Sequence, residues 1–241
     1  MLQDLQRKKC NISETTNTLG TLYIVATPIG NLGDITLRAL ELLKSVDLIA
    51  AEDTRQTRKL LSHYAISKPL VSYHERNKFT SSKSLLEKLK QNKNIALVCN
   101  AGTPLISDPG YRMVELAVKS GIKIVPIPGP TAFICALQAS GAATDSFIFE
   151  GYLPPKNKKR KDKLNRLKEE KRTIIFYETP HRLLACLEDM LDVLGDRGII
   201  IGRELTKKFE EIRREKISQA IEHFVKNRPR GEFVIVLPKK L

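Results

Sequence analysis

The stretch AAEDTRQTRK, residues 50–59, sets Glu52 and Asp53 at the end of a predicted strand and Arg55 and Arg58 on the helix expected after it. A carboxylate so placed can take the proton of a hydroxyl nucleophile, and guanidiniums can orient a ribose and hold a phosphate. Glu52, Asp53 and Arg55 are therefore the candidate catalytic group. The same residues suit a plainer arrangement, in which Asp53 caps the helix and Glu52 pairs with Arg55. Glu178 in FYETPHR, and Arg203, Glu204 and Lys207 in RELTKK, are rival base or phosphate positions. The sequence does not rank them.

Three loops rich in glycine and proline follow apolar strands: TPIGNLGDIT (27–36), NAGTPLISDPG (100–110) and PIPGPTAF (126–133). In open parallel sheets, ligands settle beyond the carboxyl ends of the strands. Each loop also precedes a helix, whose first N–H groups lack internal partners. Stiff loops almost free of charge suit a ligand recognised by main-chain hydrogen bonds and shape, such as an adenosine moiety with an amino-acid tail.

Other chemistries are missing. No G-x-G-x-x-G follows the first strand, which discounts NAD and FAD, and no G-x-x-x-x-G-K-[ST] or G-x-S-x-G occurs. Cys10, Cys99, Cys135 and Cys186 are scattered, and His63, His74, His181 and His223 lack ligand spacing. No metal and no disulfide framework is expected, and a reducing cytoplasm suits such thiols. The apolar runs are too short to cross a bilayer, so no membrane association is expected.

Charge is the loudest global signal. Lysine and arginine number 41 against 27 acids, a net +14, and residues 156–172 alone hold +7. Such a field favours a polyanionic partner. Lys158, Lys159, Arg160, Lys161, Lys207 and Lys208 are the expected phosphate contacts, with a solvated linker as the bland reading of the 156–172 run.

The elements that must position these residues alternate. Strands are predicted over 21–27, 47–52, 70–74, 94–99 and 122–127, and helices over 36–46, 54–64, 82–90, 110–119 and 130–139. This is the pattern of a parallel sheet covered on both faces. The Pro-Pro step at 154–155 breaks it, and a second series follows: strands 173–178, 198–205, 209–216 and 232–238, with helices 180–194 and 217–225. The expectation is an α/β protein with a mobile tail over 1–20 and two α/β domains, 21–150 and 151–241.

The blocks LYIVATPIGNLGDITLRALELLKSVDLIAAEDTRQTRKLL, AGTPLISDPGY, PIPGPTAF, FEGYLPP, IFYETPHRLL and GRELTKKFEE occur in that order. Together they resemble the bacterial small-subunit (16S) ribosomal RNA cytidine 2′-O-methyltransferases of the tetrapyrrole methylase superfamily, from about Leu22 to Leu237. The resemblance implies two α/β domains of the tetrapyrrole methylase type with the cofactor cleft between them. It implies S-adenosyl-L-methionine as cofactor, 16S ribosomal RNA or the small subunit as partner, and a homodimer. It carries the cofactor pocket onto Ile29, Gly102, Thr103, Ile106, Thr131, Ala132, Tyr177, Arg203 and Glu232. One departure stands out: the family commonly has Ser-Asp where this chain has Cys99-Asn100, so hydrogen bonding rather than charge is the expected role there, with weaker cofactor binding as the alternative. A methylase of a tetrapyrrole-type small molecule and a non-catalytic RNA-binding factor are the alternatives.

Overall fold

The computed structural model describes residues 19–239. The expected tail lies outside them up to residue 18, and Cys10 with it. The first series of strands is β1 (Thr21–Val25), β2 (Leu48–Ala51), β3 (Leu70–Ser72), β4 (Ile95–Val98) and β5 (Lys123–Ile127), in the order β3-β2-β4-β1-β5. Every pairing is parallel. β2 and β4 are buried at every residue, which explains their unbroken apolar sequence.

Alternate side chains serve opposite faces of this sheet. Val25, Ile49, Ala51, Ala96 and Val98 pack with α1 (Leu37–Ser45) and α2 (Thr54–His63) through Ala39, Leu43, Leu60 and Leu61. Leu22, Leu48, Ala50, Ile95 and Leu97 pack with α3 (Lys78–Lys90) and α4 (Tyr111–Lys119) through Leu85, Leu89, Met113 and Ala117. The connection from β1 runs to β2 on one side, and that from β4 runs to β5 on the other. The gap between these neighbouring strands is a topological switch point, where α/β sheets place ligands.

The second sheet is β6 (Phe147–Tyr152), β7 (Thr173–Glu178), β8 (Gly198–Arg203), β9 (Glu211–Lys216) and β10 (Phe233–Leu237), in the order β6-β7-β10-β8-β9. Only β6 and β7 pair in parallel; the remaining pairs are antiparallel. One face packs on α6 (Asn157–Leu167), α7 (Leu183–Leu194) and α8 (Ile217–Lys226). The other face is covered by α5 (Ala132–Ser140), which follows β5 in the chain but packs across on the second sheet. Ala136 and Leu137 meet Ile175, Ile200, Val234 and Val236 there, in a cluster that also takes in Ile29. Burying Leu137 alone contributes about 1.5–3 kcal/mol.

Two features differ from the sequence expectations. No strand was expected over 147–152, because Glu150, Gly151 and the following prolines obscure it; Gly151, at φ 62°, marks a register shift in the pairing with β7. The sheet therefore changes before Phe147, and the expected domain change at 150/151 falls inside β6. The strand expected over 198–205 stops at Arg203, because Glu204 and Thr206 adopt φ values of 47° and 67° and turn the chain toward β9.

Candidate active site

Beyond the carboxyl ends of β1, β4 and β5 lies an open cleft of about 270 Å³, walled on its far side by the second sheet. The loops that line it are stitched together. Thr27 and Gly102 exchange two backbone hydrogen bonds of 2.9 Å, which ties the β1 loop to the β4 loop. Thr103 Oγ1 donates to the Pro130 carbonyl at 3.2 Å and lies 2.7 Å from Thr131 Oγ1, which ties the β4 loop to the β5 loop. Across the cleft, the Phe133 N–H in the first turn of α5 donates to the Tyr177 hydroxyl at 3.3 Å. Burial pushes that phenol up to about 12, so it stays neutral.

Gly102 is a point of the wall where the backbone conformation itself requires glycine. Its φ is +82°, and a Cβ there would come within 3.3 Å of Ile29 Cγ2. Only glycine takes this conformation without cost, and its missing side chain leaves the backbone open to a ligand.

The acids at the cleft differ in company. Glu178 is buried, accepts from the Thr179 N–H at 2.8 Å and lies 3.3 Å from the Arg182 guanidinium. Glu232 pairs with Lys207 at 2.9 Å. Glu52 accepts from the Asn100 N–H at 3.4 Å. Asp108 has no ion pair among the described residues, and burial, with the charge of Glu52 second, pushes its carboxyl up to about 6. Cys99 is pushed up as well, by burial first, and stays a thiol. Uncharged loop backbone beside carboxylates that have no cationic partner among the described residues fits a ligand with a neutral flat heterocycle and a separate positive charge, and S-adenosylmethionine has both parts.

Of the expected cofactor residues, Ile29, Gly102, Thr103, Ile106, Thr131, Ala132, Tyr177 and Glu232 line the cleft. Arg203 does not: its Nε donates to the Arg230 carbonyl at 2.8 Å and its Nη1 lies 3.4 Å from Glu211. Ser107, Asp108, Tyr152 and Leu205 line it and were not expected to. The signal for Asp108 was present, since it is the single acid in an otherwise uncharged loop.

The expected catalytic group divides. Glu52 lines the cleft, but Asp53 and Arg55 are outside its lining. Asp53 caps α2, accepting from the Arg55 N–H at 2.8 Å and from the Arg55 side chain at 2.9 and 3.2 Å. The Arg55 guanidinium holds the Asp53 carboxyl down at about 2, too weak a base to draw a proton from a hydroxyl. The geometry thus moves Asp53 from the base role to the capping role, and Arg55 pairs with Asp53 rather than with Glu52.

Arg160 is also corrected as a phosphate contact. It is 4% exposed, lies 2.6 Å from Asp189, and donates to the Pro155 and Ala185 carbonyls at 3.2 Å. Lys161 pairs with Asp192 at 2.8 Å, and Lys207 is shared between Glu204 and Glu232. Lys158, Lys159 and Lys208 are exposed. Asn100 accepts from the Asp53 N–H at 3.1 Å while its own N–H reaches Glu52, so its polar groups splice the ends of β2 and β4. The acceptor in that splice needs no charge.

Among the described residues no helix is long and apolar enough to cross a membrane, and no cluster of metal-ligating side chains occurs. The family model described as Tetrapyrrole (Corrin/Porphyrin) Methylases matches residues 21–221. Over 220 residues the chain is 53% identical to the ribosomal RNA small subunit methyltransferase I of Synechocystis sp., covering 91% of this chain and 79% of that one. The protein of the same name from Thermotoga maritima is 50% identical over 222 residues, which are 92% of this chain and 100% of the relative. Among solved structures, a cobalt precorrin-4 methyltransferase of cobalamin biosynthesis superposes with a TM-score of 0.69 at 18% identity, covering 92% of this chain and 95% of that one. That last likeness is one of fold.

Proposed function

Because the chain belongs to the tetrapyrrole (corrin/porphyrin) methylase family, we propose that it methylates the 2′-oxygen of a cytidine ribose in small-subunit ribosomal RNA with S-adenosylmethionine. One observation carries this reading: identity of 50% or more with relatives named ribosomal RNA small subunit methyltransferase I extends over at least 91% of this chain.

When bound, the cofactor supplies an electrophilic methyl group on a positively charged sulfur. The chain's own residues provide position and field. The stitched loops at Gly102, Thr103 and Thr131 fix the shape of the binding wall, so little ordering remains to be done when a ligand arrives. Glu52 gives the cleft a negative charge that favours a cation. Ile29, Leu205, Phe233 and Val234 exclude water from the same space.

Mapping 2′-O-methyl groups in small-subunit RNA from cells with and without the protein tests the assignment. One cytidine is expected to lose its methyl group without the protein and to regain it when purified protein and cofactor are added. An unchanged map, together with methylation of a precorrin by the purified protein, sinks the reading in favour of a tetrapyrrole substrate.

For RNA contacts, Lys158 and Lys159 on α6 remain, with Lys208 on the loop after β8. Lys158→Glu combined with Lys159→Glu is expected to weaken RNA binding and to flatten the slope of log affinity against log salt by about 0.7–0.9 per lost phosphate contact. Filter-binding titrations across salt concentrations read this directly. Cofactor affinity is expected to stay unchanged; if it falls instead, these lysines belong to the cofactor site.

A further inference from the structure

We propose that Asp108 accepts the proton of the attacking ribose hydroxyl. This rests on the RNA 2′-O-methylation reading above and names the base that reading leaves open.

The case begins with elimination by geometry. Glu178 is buried against Arg182, Glu232 is paired with Lys207, and Asp53 is chelated by Arg55. Glu52 and Asp108 remain as cleft carboxylates without a cationic partner among the described residues. Two neighbouring acids repel each other's ionised forms, and burial adds to the basicity of a carboxylate. Burial first and the charge of Glu52 second raise the Asp108 carboxyl, whereas Arg55 holds that of Asp53 down. A carboxylate near 6 is ionised at neutral pH and still basic enough to share a proton in a transition state.

Its carrier is rigid. Leu105 and Ser107 hold positive φ values of 74° and 65°, uncommon for residues with a side chain. Such strain persists only where the surroundings enforce it, and it gathers at functional sites. Here Leu105 fills the space beside Gly110, where a Cβ would meet it at 2.9 Å. Ser107 Oγ stands 3.2 Å from the Cβ position of Gly151, so the turn abuts the second sheet. The groups that face Asp108 are Glu52 from the end of β2, Cys99 from the end of β4, Tyr152 of β6 and Tyr177 of β7. Glu178, Glu232 and Arg182 act on Tyr152 from farther along the same wall.

In the step itself, the ribose O–H bond breaks and its proton passes to a carboxylate oxygen of Asp108. The ribose oxygen keeps the electron pair and bonds the methyl carbon as that carbon's bond to sulfur breaks onto the sulfur. The carboxyl then releases the proton to water once the product has left.

The test uses the full chain, small-subunit RNA and S-adenosylmethionine. Asp108→Asn is expected to lower the single-turnover rate by about 100-fold or more, within the range of general-base losses. It is also expected to remove the acid limb near pH 6 and to leave cofactor affinity by calorimetry within about threefold of the parent. Infrared difference titration supplies a readout independent of turnover. The parent is expected to show a carboxyl band titrating near pH 6 that is absent from Asp108→Asn and moves to lower pH in Glu52→Gln. A near-parental rate, a surviving acid limb, an unmoved band, or a parallel collapse of cofactor affinity each overturns the proposal. A parent protein inactive on RNA overturns the functional reading instead, and the infrared result distinguishes the two failures.

Discussion

Gly102→Val is expected to lower affinity for S-adenosylmethionine about 100-fold while leaving a folded protein. The residue sits at φ +82°, where a β-branched side chain is a genuine outlier, and strain of this kind costs about 1–3 kcal/mol. The backbone cannot easily swing to a relaxed angle, because both its N–H and its carbonyl are committed to Thr27 at 2.9 Å. Either the bridge breaks and the β4 loop leaves its place, or the new methyl groups press on Ile29, whose Cγ2 already lies 3.3 Å from the Cβ position. Both outcomes deform the cleft wall. At 1.4 kcal/mol per tenfold, a penalty at the upper end of that range, about 3 kcal/mol, is two decades in affinity. Gly141→Ala is the control: φ there is also positive, at +78°, but no atom lies within 4 Å of its Cβ position. That variant is expected to lose about 1 kcal/mol of stability and none of its affinity. Isothermal calorimetry beside urea unfolding separates the two effects, and undiminished binding by Gly102→Val would count against the cleft as the cofactor site.

The second large effect concerns stability. Arg160→Ala is expected to cost about 3–5 kcal/mol, because it strands a buried carboxylate. Asp189 is 4% exposed and would retain Asn157, at 2.7 Å, and a Lys161 ammonium 3.7 Å away. The Pro155 and Ala185 carbonyls would lose their donors as well. The neighbouring Lys159→Ala, on the exposed side of α6, is expected to change stability by less than about 0.5 kcal/mol. Urea midpoints for the two variants check the contrast. A loss below about 1 kcal/mol at Arg160 would return that residue to the pool of surface cations.

The contrast between Arg160 and Lys159 also marks where sequence reading fails. In KNKKRKDK the basic residues look alike, and only the packing of α6 on α7 sends one of them inward to Asp189. The first sheet was legible because strands buried on both faces leave continuous apolar runs, as LIAA and IALV do. β6 was not, since its bulge at Gly151 and its edge position dilute the pattern. In the cleft, the three loops were reachable because glycine and proline announce a stiff loop, while Ile29, Gly102, Thr103 and Thr131 were singled out within them by the family resemblance. Asp108 was marked only as the single acid of its loop. Its distinction lies in the absence of a cationic neighbour, a property of three-dimensional company. Asp53 and Arg55 show the converse: an acid beside an arginine at a strand end suggests chemistry, while a local side-chain bond at a helix start satisfies both groups.

The placement of α5 bears on how the cleft can breathe. Its first residues form part of the ligand wall, its body is anchored to the second sheet, and Tyr177 holds its leading turn. Rocking the second sheet must therefore carry Thr131 and Ala132 along, and that rim cannot gape. The aliphatic stem of Lys207, itself held by Glu204 and Glu232, rests over Gly30 on the first loop. The second sheet and the turn that carries Thr131 are thus mechanically one piece, so a ligand on that turn would ride with the sheet.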